Sequence, residues 1–161
     1  MTKRRYASDT AVGVGSSRND IQRVLEKFGA TQLQWSDDFK NGVSMIRFLW
    51  ECDGATYCAR FEITAQTDEE MRAEAKDGRN GQFSQSKYDT IRKRRGMVEH
   101  RELFLFIKAL FVAVEAGIVK AEAVLLPFLE DKTGQTVADQ VLPHLKKLHT
   151  GNALRLLERN P

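Results

Sequence analysis

The sequence predicts an α+β fold with an N-terminal helix, a three-stranded antiparallel β-meander and a helical C-terminal half. The apolar residues Ile21, Leu25 and Phe28 follow the spacing of one helix face. An Asp53-Gly54 pair stands between two runs of strand-forming residues, and such a pair is the strongest short-range signal for a hairpin. Beyond residue 97 the chain is rich in apolar residues at helical spacing. These patterns put helices on both sides of a small sheet.

Residues 1–15 are expected to form a flexible basic arm, and residues 16–161 a single domain. The run Lys3–Arg5 makes the arm cationic. Ser17 is predicted to cap the first helix, because a serine side chain accepts a hydrogen bond from one of the first free N–H groups of a helix. Gly29 is predicted to end it, since glycine readily adopts the left-handed conformation found just after a helix.

Three strands are expected, the first over residues 31–36 and the other two in a hairpin over residues 43–63. A two-residue turn fixes which side chains face each other across the hairpin. One face pairs Trp50 with Tyr57, Phe48 with Ala59 and Ile46 with Phe61, and the other pairs Leu49 with Cys58, Arg47 with Arg60 and Met45 with Glu62. Two arginines directly across a ladder repel each other unless something negative lies between them.

Residues 64–96 are predicted to form a charged, mobile insert on the surface, because they include few apolar side chains. Thr67 and Glu70 have the spacing of a capping box, which predicts a short polar helix that ends near Lys76. A run of four cations either begins the next helix, where it opposes the helix dipole, or leads into that helix from further upstream, and the mismatch with the dipole favours an external role for it. These cations are Arg92, Lys93, Arg94 and Arg95.

The C-terminal half is expected to hold three helices. The strongest covers Val98–Ile118 and is apolar around almost its whole circumference, which is typical of a central buried helix. A short helix over Lys120–Glu130 is interrupted at Pro127. Thr136 is predicted to cap a last amphipathic helix. Its apolar residues are expected to turn inward, namely Val137, Val141, Leu142, Leu145 and Leu148.

Composition argues against several classes of protein. With a formal net charge of +3 and a pI near 8.9, the chain is only mildly basic. Cys52 and Cys58 do not face each other in the predicted hairpin, so we expect no disulfide and a cytoplasmic protein. The longest apolar run, Leu103–Ile107, is far shorter than the roughly 20 residues of a membrane-spanning helix, so no membrane partner is expected.

The sequence contains no familiar catalytic or metal-binding motif. His100, His144 and His149 lack the spacing of metal ligands, and the G-x-S-x-G pattern of a serine nucleophile is absent. We therefore predict no metal, no cofactor and a non-enzymatic protein. An active site assembled from distant residues would leave no such motif and stays open as an alternative.

The basic residues favour a nucleic-acid-binding protein, with single-stranded DNA or RNA as the preferred ligand. Cationic grooves with exposed aromatic residues hold single strands through phosphate contacts and base stacking. The prediction depends on two arginines of the hairpin sharing an outward cationic face that no carboxylate of the same chain neutralises. The predicted binding residues are Arg47, Arg60, Arg92, Lys93, Arg94 and Arg95.

Four motifs give the chain a resemblance to a known group of proteins. They are S-R-x-x-I-x-x-x-L-x-x-x-G-A from Ser17, R-F-x-I from Arg60, I-K-A-x-x-x-A-V-E-A-G-I from Ile107 and G-Q-T-V from Gly134. In this order they resemble an uncharacterised family of small proteins encoded by phages, prophages and related mobile elements. The resemblance covers most of the chain except residues 64–96. It implies a shared fold and a role in replication, recombination or anti-defence.

A protein partner is the alternative to nucleic acid. In that case a host or phage protein would be bound by the charged part of the insert, residues 68–84. A homodimer is a further expectation, because the edges of a three-stranded sheet invite pairing with a second copy.

Overall fold

A three-stranded antiparallel sheet and the helices that precede and follow it confirm the predicted α+β fold. The computed structural model describes residues 7–64, 66–76 and 81–148, so the cationic run Lys3–Arg5 lies outside the described residues. In chain order the elements are α1 (Val14–Lys27), β1 (Ala30–Asp38), β2 (Val43–Cys52), β3 (Ala55–Thr64), α2 (Asp68–Glu74), α3 (Gln85–Glu115), α4 (Ala121–Leu125), a 3₁₀ turn (Leu126–Phe128) and α5 (Val137–Leu148).

The hairpin between β2 and β3 has the predicted register. Asp53 and Gly54 adopt φ angles of 49° and 78°, as a type I′ turn requires. The pairs on both faces are confirmed, including Arg47 opposite Arg60. β1 joins the other side of β2, so the strand order is β1-β2-β3. Cys52 and Cys58 are both free thiols, as the register predicts.

One face of the sheet, here named the core face, packs against α1 and α3. Its side chains Ile46, Phe48 and Phe61 are buried with residues of both helices. Phe28 after α1 stacks on Phe111 of α3 with ring centroids 4.2 Å apart. The opposite side, here named the outer face, carries the alternate residues of each strand, among them both arginines of the hairpin.

α1 begins earlier than the sequence indicates. Gly13 is the residue before the helix, and Ser17 lies inside it, fully buried, where its N–H donates to the Gly13 carbonyl at 3.1 Å. The prediction of Ser17 as the cap is therefore wrong. Val14 packs closely on Gly96 of α3, where a Cβ atom would come within 3.3 Å of Val14 Cγ2. This contact with α3 stabilises the additional turn at the start of α1. Gly29 ends the helix with φ of 90°, as predicted.

Much of the insert is folded against α3. The Thr67–Glu70 capping box opens α2 as predicted. Met71 and Ala75 are then buried against Tyr88 of α3, so these residues form a small second core. Residues 77–80 lie outside the described part of the chain. The insert was expected to be mobile and to lie on the surface, and its few apolar side chains instead pack together on α3 in the described portion.

α3 is longer and less completely buried than predicted. It starts at Gln85, where Ser84 caps it, so the run of four cations lies within the helix and not at its start. Phe106 and Val112 are 43% and 49% exposed, so the helix is not buried on all sides. Only one face of α3 lies on the sheet and α1.

The C-terminal segment wraps around the β3 edge. Pro127 sits in the 3₁₀ turn, and Leu129 then pairs with Ala59 of β3. Thr136 caps α5 as predicted, accepting a hydrogen bond from the Asp139 N–H at 3.1 Å. The described apolar residues further along α5 are exposed, contrary to prediction, since the core face of the sheet is already covered by α1 and α3. They are Val141, Leu142 and Leu145. Over the ranges described, every helix is too short or too polar to cross a bilayer.

Candidate ligand-binding cleft

A cleft of about 600 Å³ opens where the start of α1, the β1–β2 turn, α2 and the first half of α3 meet. Pockets that hold small ligands have volumes of about 300–1,000 Å³, so this one is large enough for a group the size of a nucleobase. Apolar side chains line part of its wall, namely Val14, Val43, Met71 and Met97. Charged and hydrogen-bonding groups lie at its inner end and at its mouth.

The inner end of the cleft is organised by Arg18 of α1. Its Nη2 donates to both carboxylate oxygens of Asp37 at 2.7 and 2.8 Å, and its Nε donates to Nε2 of His100 at 3.0 Å. The guanidinium also lies 4.5 Å from the ring centroid of Trp35. One arginine thus ties together the end of β1 and the middle of α3.

His100 is held in its neutral form by these contacts. Because its Nε2 accepts from Arg18, the ring proton is assigned to Nδ1, which donates to the Gly96 carbonyl at 2.9 Å. Only 5% of the residue is exposed. Burial lowers the pKa of His100 below its ordinary value, since the charged form would lose its water; the Gly96 hydrogen bond opposes this shift and the Arg18 charge adds to it.

Asp37 and Ser44 complete the inner end, but they are poorly suited to nucleophilic chemistry. The Ser44 hydroxyl donates to Asp37, whose oxygens also accept from Arg18. Burial alone would raise the pKa of Asp37, but the hydrogen bonds from Arg18 and Ser44 and the Arg18 charge together lower it. A carboxylate with a lowered pKa is a weak base, so it gives Ser44 little activation. These hydrogen bonds fix the positions of the side chains at the inner end of the cleft.

Phe39, Arg92 and Lys93 form what we name the cleft mouth. Phe39 follows β1 and is 57% exposed, so its ring is accessible to a ligand. The Arg92 guanidinium lies 4.8 Å from the centroid of its ring. Lys93 is exposed and lines the same cleft. An aromatic face and two cations therefore meet where the cleft opens to solvent.

The turn that carries Phe39 is fixed by Asp38. One Asp38 oxygen accepts from the backbone N–H groups of Lys40 and Asn41, both at 3.1 Å, and the other accepts from the Asn41 side chain at 2.6 Å. These hydrogen bonds lower the pKa of Asp38, with the Asn41 side chain as the largest cause. The Phe39 carbonyl accepts from the N–H of Asp68 at 3.2 Å, which joins the turn to α2.

Arg47 and Arg60, the centre of the predicted cationic face, are neutralised within the molecule. Glu130 accepts from Arg47 Nε at 3.0 Å and from Arg60 Nη1 at 2.9 Å, and its side chain is only 5% exposed. Arg60 also contacts Glu62 at 3.1 Å and Asp139 at 3.4 Å. The expected open cationic face is therefore absent from this part of the structure, and these arginines hold the C-terminal segment on the sheet.

The four cations of α3 that were predicted to bind nucleic acid divide into two pairs. Arg94 donates to the Ser8 carbonyl at 2.7 Å, and Arg95 lies 3.6 Å from Glu74 of α2, so both hold neighbouring segments against the helix. Arg92 and Lys93 line the cleft. Of the six predicted binding residues, the structure thus brings only these two together at a candidate site.

Sequence reasoning missed the other important residues of the cleft. Phe39 had a detectable signal, since a large aromatic residue stands in an otherwise polar turn sequence, Asp-Phe-Lys-Asn-Gly. The hydrogen bond between Arg18 and His100 had no such signal in the sequence, because 82 positions separate the two residues along the chain.

A possible metal-ligand cluster lies at the tip of the hairpin. Side-chain atoms of Cys52, Asp53 and Glu122 come within 4.8 Å of one another. The Cys52 thiol donates to Glu122 at 3.2 Å, and this hydrogen bond is the main cause that raises the pKa of Cys52 to about 11. A thiol that keeps its proton is a poor metal ligand. The cluster is better explained as a link between the hairpin tip and α4.

The chain matches no protein-family model, no curated protein and no solved structure. The resemblance to proteins of phages and mobile elements therefore stays a prediction. Function has to be inferred from the geometry of the cleft.

Proposed function

We propose that the protein binds single-stranded nucleic acid, DNA or RNA, at the cleft mouth, as a non-enzymatic accessory protein. The observation that carries the proposal is the exposed ring of Phe39, which stands at the opening of the cleft beside Arg92 and Lys93. Proteins hold single strands by stacking bases on aromatic rings and pairing phosphates with nearby cations. The sequence-based case for this ligand depended on Arg47 and Arg60 and is lost, because Glu130 neutralises both, so the proposal depends on the cleft mouth alone.

The geometry at Phe39 suits an unpaired base. Arg92 covers one face of the ring at 4.8 Å. A base can stack on the other face, or it can replace the guanidinium, which is then free to reach a phosphate. The cleft behind the ring has room for an unstacked base. Bases in a duplex are already stacked and paired, so this arrangement favours single strands.

The acidic residues near the cleft mouth are engaged by the protein itself. Asp37 pairs with Arg18, and Asp38 accepts three hydrogen bonds from its own turn. Asp89 accepts from the Gln85 side chain at 2.9 Å. These contacts orient the carboxylates, while Arg92 and Lys93 supply the cations for a phosphate.

A cytoplasmic location and a mobile-element context belong to the same proposal. Free thiols at Cys52 and Cys58 fit a reducing compartment. The expected resemblance to small phage and prophage proteins fits a role in replication or recombination, in which single strands are exposed.

Fluorescence anisotropy with a labelled oligonucleotide tests the proposal. We expect micromolar or tighter binding at low salt that weakens steeply as salt rises from about 50 to about 200 mM. Phe39→Ala should weaken binding roughly tenfold, because one stacked base contributes about 1–3 kcal/mol. Lys93→Glu should weaken binding and reduce the salt dependence.

Arg23→Glu is the matched control for the charge reversal. Arg23 lies on α1 outside the cleft, and its side chain is 80% exposed. The same change of net charge there should leave the affinity nearly unchanged. Absence of binding by the wild type at low salt, or equal losses for Lys93→Glu and Arg23→Glu, would exclude a site at the cleft mouth.

A protein partner is the second candidate, and Phe83 is the observation that favours it. Phe83 is 41% exposed, and Arg72 of α2 lies 5.5 Å from its ring centroid. Acidic residues of α2, Asp68 and Glu69, line the same groove. A Phe83→Ala variant tests this surface, and a urea unfolding curve checks that the contact of Phe83 with Tyr88 is not needed for folding. Capture of a partner from nuclease-treated host lysate that depends on Phe83 would support this second function.

A further inference from the structure

The two edges of the sheet differ in how they are protected. The β3 edge is covered, since Leu129 pairs with Ala59 and the Glu130 N–H donates to the Cys58 carbonyl at 2.8 Å. Phe128 also packs on Phe61, with ring centroids 4.7 Å apart. Across the described ranges, no strand or bridge pairs with the edge of β1 that faces away from β2. β1 is therefore the open edge.

The central residues of β1, 32–36, lack the features that usually protect an edge strand, although Asp37 and Asp38 stand at its end. Natural edges are commonly blocked by lysine, proline, strong bulges or a covering segment. The nine residues of β1 include no lysine, arginine or proline. Its pairing with β2 has one irregularity, between Ala30 and Gln32, and the remainder of the strand is regular. An edge of this kind presents free backbone donors and acceptors to another strand.

We propose that a second copy of this chain pairs antiparallel along β1, which joins the two three-stranded sheets into one continuous sheet across a two-fold axis. The pairing uses none of the cleft-mouth residues Phe39, Arg92 and Lys93, although Asp37 at its end also lies at the inner end of the cleft. Directly opposed residues of an antiparallel pair have side chains on the same face of the sheet. In a symmetric pair, one residue must therefore lie opposite its own copy, with the two-fold axis between the two. The best position for that residue is Gln34.

The register centred on Gln34 is complementary on both faces. On the core face, Leu33 of each copy lies opposite Trp35 of the other, and both side chains are only partly buried in the monomer. On the outer face, exposed Gln34 faces itself and Gln32 faces Ser36. At the ends, Asp37 lies opposite Thr31. No like charges oppose each other, and four apolar side chains form a continuous strip.

The neighbouring registers are poorer. Moving the axis to Trp35 pairs the two Trp35 rings but puts both copies of Leu33 opposite the charged Asp37, and moving it to Leu33 pairs the two Leu33 side chains but puts both copies of Trp35 opposite the polar Thr31. Cross-strand pairs between apolar side chains stabilise a sheet, whereas mixed pairs of this kind do not. The side chains of β1 therefore select one symmetric register.

Sedimentation velocity of charge variants at Gln34 tests the proposal. The wild type should form a dimer that dissociates on dilution. Gln34→Lys and Gln34→Glu should each weaken self-association at least tenfold, because each puts two like charges face to face. An equimolar mixture of the two variants should restore a dimer, since lysine then faces glutamate.

Gln22→Lys is the matched control, because Gln22 is an exposed glutamine on α1 and the change of charge is the same. It should leave self-association unchanged. A wild type that stays monomeric at the highest soluble concentration would overturn the proposal. So would a Gln34→Lys variant that dimerises like the wild type, or a mixture of the two charged variants that stays monomeric.

Discussion

Arg60 donates to Glu130 at 2.9 Å, although 70 residues separate them in the chain. The same carboxylate accepts from Arg47, so one buried negative charge resolves the repulsion between two arginines that face each other on adjacent strands. This contact removes the outer face of the sheet from the candidate binding surface. It also attaches the segment before α5 to the sheet.

Glu130→Gln should lower the free energy of unfolding by about 3 kcal/mol, because it removes the buried negative charge that Arg47 and Arg60 share. We expect the lower end of the usual range, since Arg47 is 39% exposed and can reach water. Urea denaturation measures the change. Glu62→Gln is the control: Glu62 also contacts Arg60 but is 44% exposed, and its loss should cost less than about 1 kcal/mol. Equal effects of the two variants would contradict this account of Glu130.

The free energy of unfolding should decrease as pH falls below about 6.5, because of His100. The folded protein binds a proton at His100 only at a pH below the ordinary value of 6.5, since burial lowers the pKa. The unfolded chain therefore takes up the proton first, and stability is lost from that pH down to the lowered pKa. Urea midpoints at several pH values should show this slope in the wild type and a flatter one in His100→Gln. Parallel slopes would show that His100 is not the cause.

Arg18→Lys should destabilise the protein by about 1–2 kcal/mol even though the charge is kept. A lysine ammonium cannot contact Asp37, His100 and the face of Trp35 together, as the guanidinium does. Thermal or urea unfolding measures the loss. Arg23→Lys, at a side chain that is 80% exposed, should change stability by less than about 0.5 kcal/mol. An Arg18→Lys variant as stable as the wild type would mean that the network at the inner end of the cleft contributes little to the stability of the fold.

Leu125→Ala and Leu142→Ala should differ strongly in their effects. Leu125 is fully buried, so its truncation should cost about 2–5 kcal/mol. Leu142 on α5 is 54% exposed, and the same truncation should cost less than about 1 kcal/mol. A large loss for Leu142→Ala would indicate that α5 buries its apolar side, as the sequence pattern alone suggests.

Local signals in the sequence predicted local structure well. The Asp53-Gly54 turn determined every pair of the hairpin, because a two-residue turn leaves one register. The capping box at Thr67 marked the start of α2. Each of these features depends on residues that are close together in the chain.

Features that depend on distant residues were not predictable in the same way. The pairing of Arg47 with Glu130 spans 83 positions, and the contact of Arg92 with Phe39 joins a helix to a turn that precedes two strands. The apolar pattern of α5 identified one side of that helix but not what covers it. The candidate site could therefore be predicted only in part, through Arg92 and Lys93.

An NMR titration of ¹⁵N-labelled protein with an unlabelled single-stranded oligonucleotide is the sharpest test of binding at the cleft mouth. We predict that the largest shifts in backbone resonances occur at Phe39, Arg92 and Lys93, while those of Arg47 and Arg60 change little. Shifts centred on the outer face of β2 and β3, or no shifts at saturating oligonucleotide, would contradict it.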